Sequence, residues 1–221
     1  MYSFKLFPTG KIRAGMTQKK EGSFKTGTTA LEKKFQKIGL NPPAQARQTH
    51  SDLILEVKHL TKTVEEGDAL ITQQKNLPLM VRVADCQGVL IYNPHNESIG
   101  AIHSGWKGSA QNIIGKTIQA MKKKYNSNPS DLMVEISPSL GPCCATFSNP
   151  IKELPNFCHP FILDNNHVDF WSLSKKQCQD EGVKAKNIHL PKACTMCDSD
   201  YFSHRRGANE RMAVFIEMIH H

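Results

Sequence analysis

The chain has no long apolar run: no stretch approaches the roughly 18 consecutive apolar residues that a membrane-spanning helix needs, so no membrane association is expected. Its start, MYSFKLFPTGKIRAG, lacks both an uninterrupted hydrophobic segment and a small-residue cleavage site, so it does not read as a secretory signal. Internal repeats, low-complexity tracts and linkers are also missing, which argues against arrays and tethered modules. His-x-His pairs are absent, which counts against a multicopper cluster. Seven cysteines is an odd number without the dense regularity of a disulfide framework, so reduced thiols and a cytoplasmic location are expected.

What is present is ordinary globular composition, with 39 % hydrophobic and 22 % charged residues over 221 positions. A chain of this size buries roughly 70 to 75 % of its unfolded surface as one unit, so residues 1–221 are expected to form one domain. The net charge of +8 invites a nucleic-acid reading. Against it, the tightest run, Lys122-Lys123-Lys124, falls at the end of a predicted helix, where cations favour the dipole and face water. No aromatic residues interleave the basic ones for base stacking, so no nucleic-acid partner is expected. Small anions such as phosphate suit the charge equally well.

Residues 31–39 have the pattern of a short amphipathic helix ending at Gly39, and Asn41-Pro42-Pro43 breaks the chain. Strands are predicted in 51–57, 67–72, 78–86, 88–93 and 98–103, the last two joined by the Asn93-Pro94-His95-Asn96 turn. Ser109 to Tyr125 has helical period, residues 132–139 return as a strand, Asp169 caps a helix ending at Gly182, and residues 211–219 close as an apolar strand. Clustered strands with helices between them predict an α/β or α+β fold.

Three segments could carry chemistry. The glycine-containing turn from Gly105 through Lys107 and Gly108 to Ser109 joins a buried strand to a helix, where backbone N–H groups and the dipole favour an anion. An anion site and a plain connection with a surface lysine fit this pattern equally well. Asp85-Cys86 ends an apolar run. A lone cysteine there is usually a small core residue, but a carboxylate beside it needs a partner or a metal. His50 precedes another strand. Together His50, Cys86 and His103 all lie at strand termini, and two imidazoles plus a thiolate with one open position is a common catalytic zinc arrangement.

Other motifs are weaker. Cys194-x-x-Cys197 fits neither a zinc nucleobase deaminase, because Pro191 is misplaced and His95 lies in a turn, nor a thioredoxin-like pair; a turn with two unpaired thiols is expected. Either thiol of Cys143-Cys144 is a candidate to line a site. Arg205-Arg206 beside Ser203 suits an anion clamp and a solvated patch equally.

Seven ordered motifs resemble the YfiH-like proteins, also called laccase-domain or polyphenol-oxidase proteins. They are Gln48-Thr49-His50, Gly67 to Thr72, Ala84-Asp85-Cys86, His103 to Gly108, Gly141-Pro142-Cys143-Cys144, Asp169-Phe170-Trp171 and Phe202 to Arg206. The family's opening is shortened here, and Gly207-Ala208-Asn209-Glu210-Arg211 replaces its usual Asp-Gly and Thr-Gly-Arg elements.

The resemblance implies a layered sandwich of mixed β-sheet flanked by helices. It also implies zinc, with copper as the alternative, on His50, Cys86 and His103. The implied activity is phosphorolysis of adenosine, inosine, guanosine or methylthioadenosine, with adenosine deamination. Purine nucleosides and phosphate would be the partners, for a monomer or a homodimer. On that reading the turn of Gly105, Gly108 and Ser109 binds phosphate with Lys107, helped by Arg47 or Arg205, and Cys143 lines the substrate site. Asp85 transfers a proton or orients His50 or His103. A hydrolase using Cys86 as nucleophile and His103 as base is the rival enzyme class, and a non-catalytic regulator with a residual metal site is the third.

Overall fold

The computed structural model describes residues 1–25, 28–60 and 65–219; the final His220-His221 lies outside them. The strands are β1 (Tyr2–Ser3), β2 (Ile12–Met16), β3 (Ile54–Glu56), β4 (Ala69–Thr72), β5 (Leu79–Val83), β6 (Gln87–Asn93), β7 (Ser98–Ser104), β8 (Met133–Ile136), β9 (Ile188–His189) and β10 (Met212–Met218). The α-helices are α1 (Thr28–Lys37), α2 (Trp106–Ala110), α3 (Ile113–Tyr125), α4 (Pro150–Glu153) and α5 (Phe170–Asp180).

The strands form two sheets. One has four strands in the order β1-β2-β10-β5, and the other six in the order β3-β4-β7-β6-β8-β9. The first is antiparallel throughout, and the second is mixed because β3 pairs with β4, and β8 with β9, in parallel. Alternate side chains leave each strand on opposite faces, and both faces are used. Leu90 and Tyr92 of β6 join Leu79, Val81, Val214 and Ile216 in the core between the sheets. Their neighbours Val89 and Ile91 pack outward with Ile114, Ile118 and Met121 of α3. On the far side of the smaller sheet, Met80, Ala213 and Phe215 pack with Leu31 and Phe35 of α1.

The layers therefore run helix, sheet, sheet, helix, which explains why β6, β7 and β10 read as largely apolar runs and not as alternating ones. This is the helix-flanked layered sandwich expected from the sequence, with the strands divided between two sheets. At one point the sheets approach so closely that a Cβ on Gly88 would lie 2.7 Å from Val214. A side chain there forces the layers apart.

Several elements differ from the pattern-based boundaries. The strand expected over 51–57 shortens to Ile54–Glu56. The single helix expected from Ser109 to Tyr125 is two, because Asn112 takes a left-handed conformation (φ 56°) and its side chain accepts the Gly115 N–H at 3.3 Å, starting α3 afresh. Asp169 caps α5 as expected, accepting from the backbone N–H groups of Trp171 and Ser172 at 3.1 and 3.0 Å. Lys122, Lys123 and Lys124 are exposed in the last turn of α3. Among the described residues, no helix is long and apolar enough to cross a membrane.

Candidate metal centre

Between β5 and β6 the chain passes from the small sheet to the large one, and Ala84-Asp85-Cys86 makes that crossing. The sharp turn puts Asp85 at φ 80°. Cys86 emerges beside the end of β7, where His103 stands, because Gln87 and Gly88 pair in register with Ser104 and His103. The third residue, His50, is brought in by a loop. The Gln48 side chain donates to the Arg82 carbonyl and accepts from the Arg82 N–H, both at 2.8 Å, anchoring that loop along β5.

The potential ligand atoms of His50, Cys86 and His103 all lie within 4.8 Å of one another. Cys86 Sγ is 4.0 Å from His50 Nε2, and the two imidazoles meet edge to face. A Cβ on Gly105 would come within 2.9 Å of Cys86 Sγ and 3.0 Å of His50 Cδ2. Glycine is needed at this position for space.

The carboxylate that organises the cluster is Asp68, buried at the start of β4. Its oxygens accept the backbone N–H groups of Thr49, His50 and Ser51 at 3.1, 3.1 and 2.7 Å, the Ser51 hydroxyl at 2.7 Å, and His103 Nδ1 at 2.7 Å. An ionised carboxylate only accepts, so Nδ1 carries the proton and Nε2 is left for the cluster. Burial alone would raise the Asp68 carboxyl, but hydrogen bonds from His103 and Ser51 hold it well below the usual carboxylate range. Burial likewise opposes a charged Cys86, yet His103 and His50 bring its thiol down to about 6. His103 is raised to about 9 by Cys86 and Asp68, against the effect of its burial. A thiolate and two imidazoles, one backed by a carboxylate, suit a metal ion well.

Asp85, expected to orient an imidazole or move a proton, is bonded elsewhere. Its carboxylate accepts the Thr195 hydroxyl at 2.6 Å, the Ser203 hydroxyl at 3.0 Å and the Arg205 N–H at 2.6 Å, and Asp68 holds the position behind His103. Asp68 has no motif of its own to mark it in the sequence, although the rule that a carboxylate entering an apolar strand needs partners applies to it as much as to Asp85.

Gly105 meets the cluster, but Gly108 and Ser109, expected to contact substrate, are buried. The Ser109 hydroxyl bonds to Ser104 at 3.0 Å and its carbonyl to Gln177 at 2.8 Å. Lys107 is exposed, its Nζ 5.5 Å from the centre of the Trp106 ring. Trp106, itself 42 % exposed, meets Phe147 edge to face at 5.8 Å. The Arg205 guanidinium bonds Thr146, the neighbour of Phe147, at 2.8 Å. Arg47 is exposed and paired with Glu66. The Arg206 guanidinium donates to the carbonyls of Met196, Asp198 and Tyr201, as that of Arg205 donates to Thr146.

A second group was not foreseen. Cys143, expected to line the substrate site, and Cys194 and Cys197, expected as unpaired thiols in a turn, converge with Cys144, their sulfurs all within 4.8 Å. Cys158 and Cys178 are core residues whose thiols burial pushes up to about 11 and about 12.

Fold and first cluster together define a helix-flanked double-sheet protein with a two-histidine, one-cysteine centre. Residues 27–219 match the family described as multi-copper polyphenol oxidoreductase laccase, and the chain belongs to that family, the YfiH-like proteins. A Clostridium acetobutylicum relative named purine nucleoside phosphorylase is 38 % identical over 180 residues, covering 77 % of this chain and 74 % of the relative. An Aquifex aeolicus protein of the same name is 30 % identical over 176 residues, covering 78 % and 81 %. The crystal structure of YlmD from Geobacillus stearothermophilus superimposes with a TM-score of 0.80 at 22 % identity, over 96 % of this chain and 93 % of that one. YfiH from Bacillus licheniformis gives 0.79 at 23 % identity, over 93 % and 92 %.

Proposed function

We propose that this protein is a zinc-dependent purine nucleoside phosphorylase acting on adenosine, inosine, guanosine and methylthioadenosine, with adenosine deamination as a second reaction of the same site. The supporting observation is the convergence of His50, Cys86 and His103 under Gly105, with Asp68 tying the two histidines together. The names of the relatives supply the substrate class. Zinc on these donors supplies Lewis acidity, which stabilises negative charge and eases loss of a proton from a nearby oxygen.

The chain's own residues do the rest. In phosphorolysis, phosphate approaches C1′ while the ribose gains positive charge and the departing purine negative charge, so placement and fixed charges carry the catalysis. Lys107 and Arg205 are the cations for phosphate. Trp106, braced by Phe147, offers a face on which a purine stacks. Asp85 is a positioning residue that fixes the Arg205 backbone through its N–H. The cysteines, free throughout, fit a reducing cytoplasm.

One observation favours a second chemistry for the metal-free chain. Cys86, with its lowered thiol, then His103, then Asp68 follow the nucleophile, base and orienter order of a cysteine hydrolase. Zinc and a free nucleophilic thiolate exclude each other at Cys86. Chromatography of adenosine with zinc-loaded protein separates the readings. Adenine formed only with phosphate supports phosphorolysis, and inosine formed without phosphate supports deamination. Covalent acylation of Cys86 in the zinc-loaded protein would overturn both.

A further inference from the structure

Cys143 and Cys144 follow the Gly141-Pro142 turn beyond β8, and Cys194 and Cys197 lie more than forty residues later on the loop beyond β9. Cys143 Sγ and Cys144 Sγ lie 3.7 and 3.4 Å from Cys197 Sγ. A tetrahedron of sulfurs at the usual zinc–thiolate bond length has edges of about 3.8 Å. The backbone is arranged for sulfur anions as well: the Gly141 N–H donates to Cys194 Sγ at 3.2 Å. Cys194 is buried, Cys144 intermediate, and Cys143 and Cys197 exposed, so an ion reaches the cluster from solvent and is closed off on its inner side.

We propose that Cys143, Cys144, Cys194 and Cys197 form a second metal site, separate from the first, that takes zinc on four thiolates. Four soft sulfur donors and no oxygen or nitrogen ligand select a thiophilic d10 cation over magnesium or calcium. Binding drives off the protons that the thiols carry, which pass to solvent, and the ion replaces them without any change of oxidation state. The chemistry is structural, because four protein ligands leave no open position for a substrate.

The site has a definite mechanical role. It joins two loops that otherwise meet at the isolated bridge between Ser139 and Cys194, in which Thr195 N–H donates to the Ser139 carbonyl at 3.0 Å, and through the bonds of the Arg205 guanidinium to Thr146. Both loops hold Asp85. The Leu140 N–H donates to the Asp85 carbonyl at 2.8 Å, and Thr195, Ser203 and Arg205 hold the carboxylate. Asp85 precedes Cys86, so a zinc clamp on the four thiols steadies the turn that presents Cys86 to His50 and His103. This inference stands without the purine assignment.

The test is metal analysis of protein purified under reducing conditions with zinc present, comparing the unaltered chain with Cys194→Ser/Cys197→Ser and His50→Ala/His103→Ala variants. Each double variant is expected to lose one equivalent of zinc and keep the other. Cobalt substituted for zinc is expected to give strong thiolate-to-metal absorption that survives His50→Ala/His103→Ala and collapses in Cys194→Ser/Cys197→Ser. Because the cysteine variant could misfold, the unaltered protein is also titrated with a thiol reagent. Cys143, Cys144, Cys194 and Cys197, together with Cys86 of the first site, are expected to be shielded with zinc and to react after chelation. Full reactivity of these thiols in zinc-saturated protein, a mass showing them bridged as disulfides, or loss of all zinc in the histidine variant would overturn the proposal.

Discussion

Asp68 Oδ1 lies 2.7 Å from His103 Nδ1 and 3.1 Å from the backbone N of His50, so one buried carboxylate orients the His103 ring and fixes the backbone that carries His50. His50 has a positive φ of 60°, a conformation that costs a non-glycine residue roughly 1–3 kcal/mol and persists only where its surroundings enforce it. The three consecutive N–H groups of Thr49, His50 and Ser51, all pointing at Asp68, supply that enforcement.

Asp68→Asn keeps the shape and removes the charge. It is expected to weaken zinc binding about 10- to 100-fold, measured by competition with a chromophoric chelator. Unchanged affinity would mean that the carboxylate only supports the loop.

Gly105→Ala places a methyl group against Cys86 Sγ and His50 Cδ2. Zinc affinity is expected to fall, and the thermal midpoint of the metal-free protein to change little, because the crowding is confined to the cluster. Calorimetry beside zinc titration checks both halves.

Gly88→Ala is the converse case. Its Cβ would meet Val214 at 2.7 Å in the core between the sheets, and overpacking of this kind costs about 1–3 kcal/mol. Urea denaturation is expected to show that loss with zinc content retained.

How far the sequence alone leads is shown by these same residues. His50, Cys86 and His103 are readable because each sits at a terminus of an expected strand, His50 before one and the other two at the end of one, and the long runs of β6, β7 and β10 are readable because both of their faces are buried. Asp68 was not, since its partners are the backbone amides of a distant loop, and a loop's course leaves no period in the sequence. The division into two sheets was hidden for a related reason: a strand buried on both faces does not reveal which sheet it belongs to. The thiol cluster depends on contacts between residues 143–144 and 194–197, and neither cysteine pair reports the other. Asp85 was rightly singled out as needing partners, but those partners are Thr195, Ser203 and Arg205, more than a hundred residues away.

The Cys86 thiol gives a pH prediction. In metal-free protein its reaction with iodoacetamide is expected to rise with pH around a midpoint of about 6, well below the ordinary thiol value of about 8.5. Because the folded value is the lower one, the stability contributed by this group is present above the unfolded pKa and is lost as pH falls through about 6. Added zinc suppresses the reaction. A midpoint near 8.5 would contradict the assigned charge state.

Trp106→Ala is expected to raise KM for the nucleoside. The loss expected for an aromatic that stacks on a base is about 1–3 kcal/mol. Lys107→Ala raises KM for phosphate instead. Steady-state kinetics in which each substrate is varied in turn separates the two effects.

Phosphorolysis is assigned to the cluster of His50, Cys86 and His103. The most direct measurement is chromatography of adenosine and phosphate incubated with zinc-loaded protein and, in parallel, with a His103→Ala variant shown by circular dichroism to be folded. Adenine and ribose 1-phosphate are expected from the unaltered protein, in proportion to added phosphate, and none above background from the variant. Equal product from both proteins would move the reaction away from this cluster, and no product from the zinc-loaded protein would contradict the phosphorylase assignment.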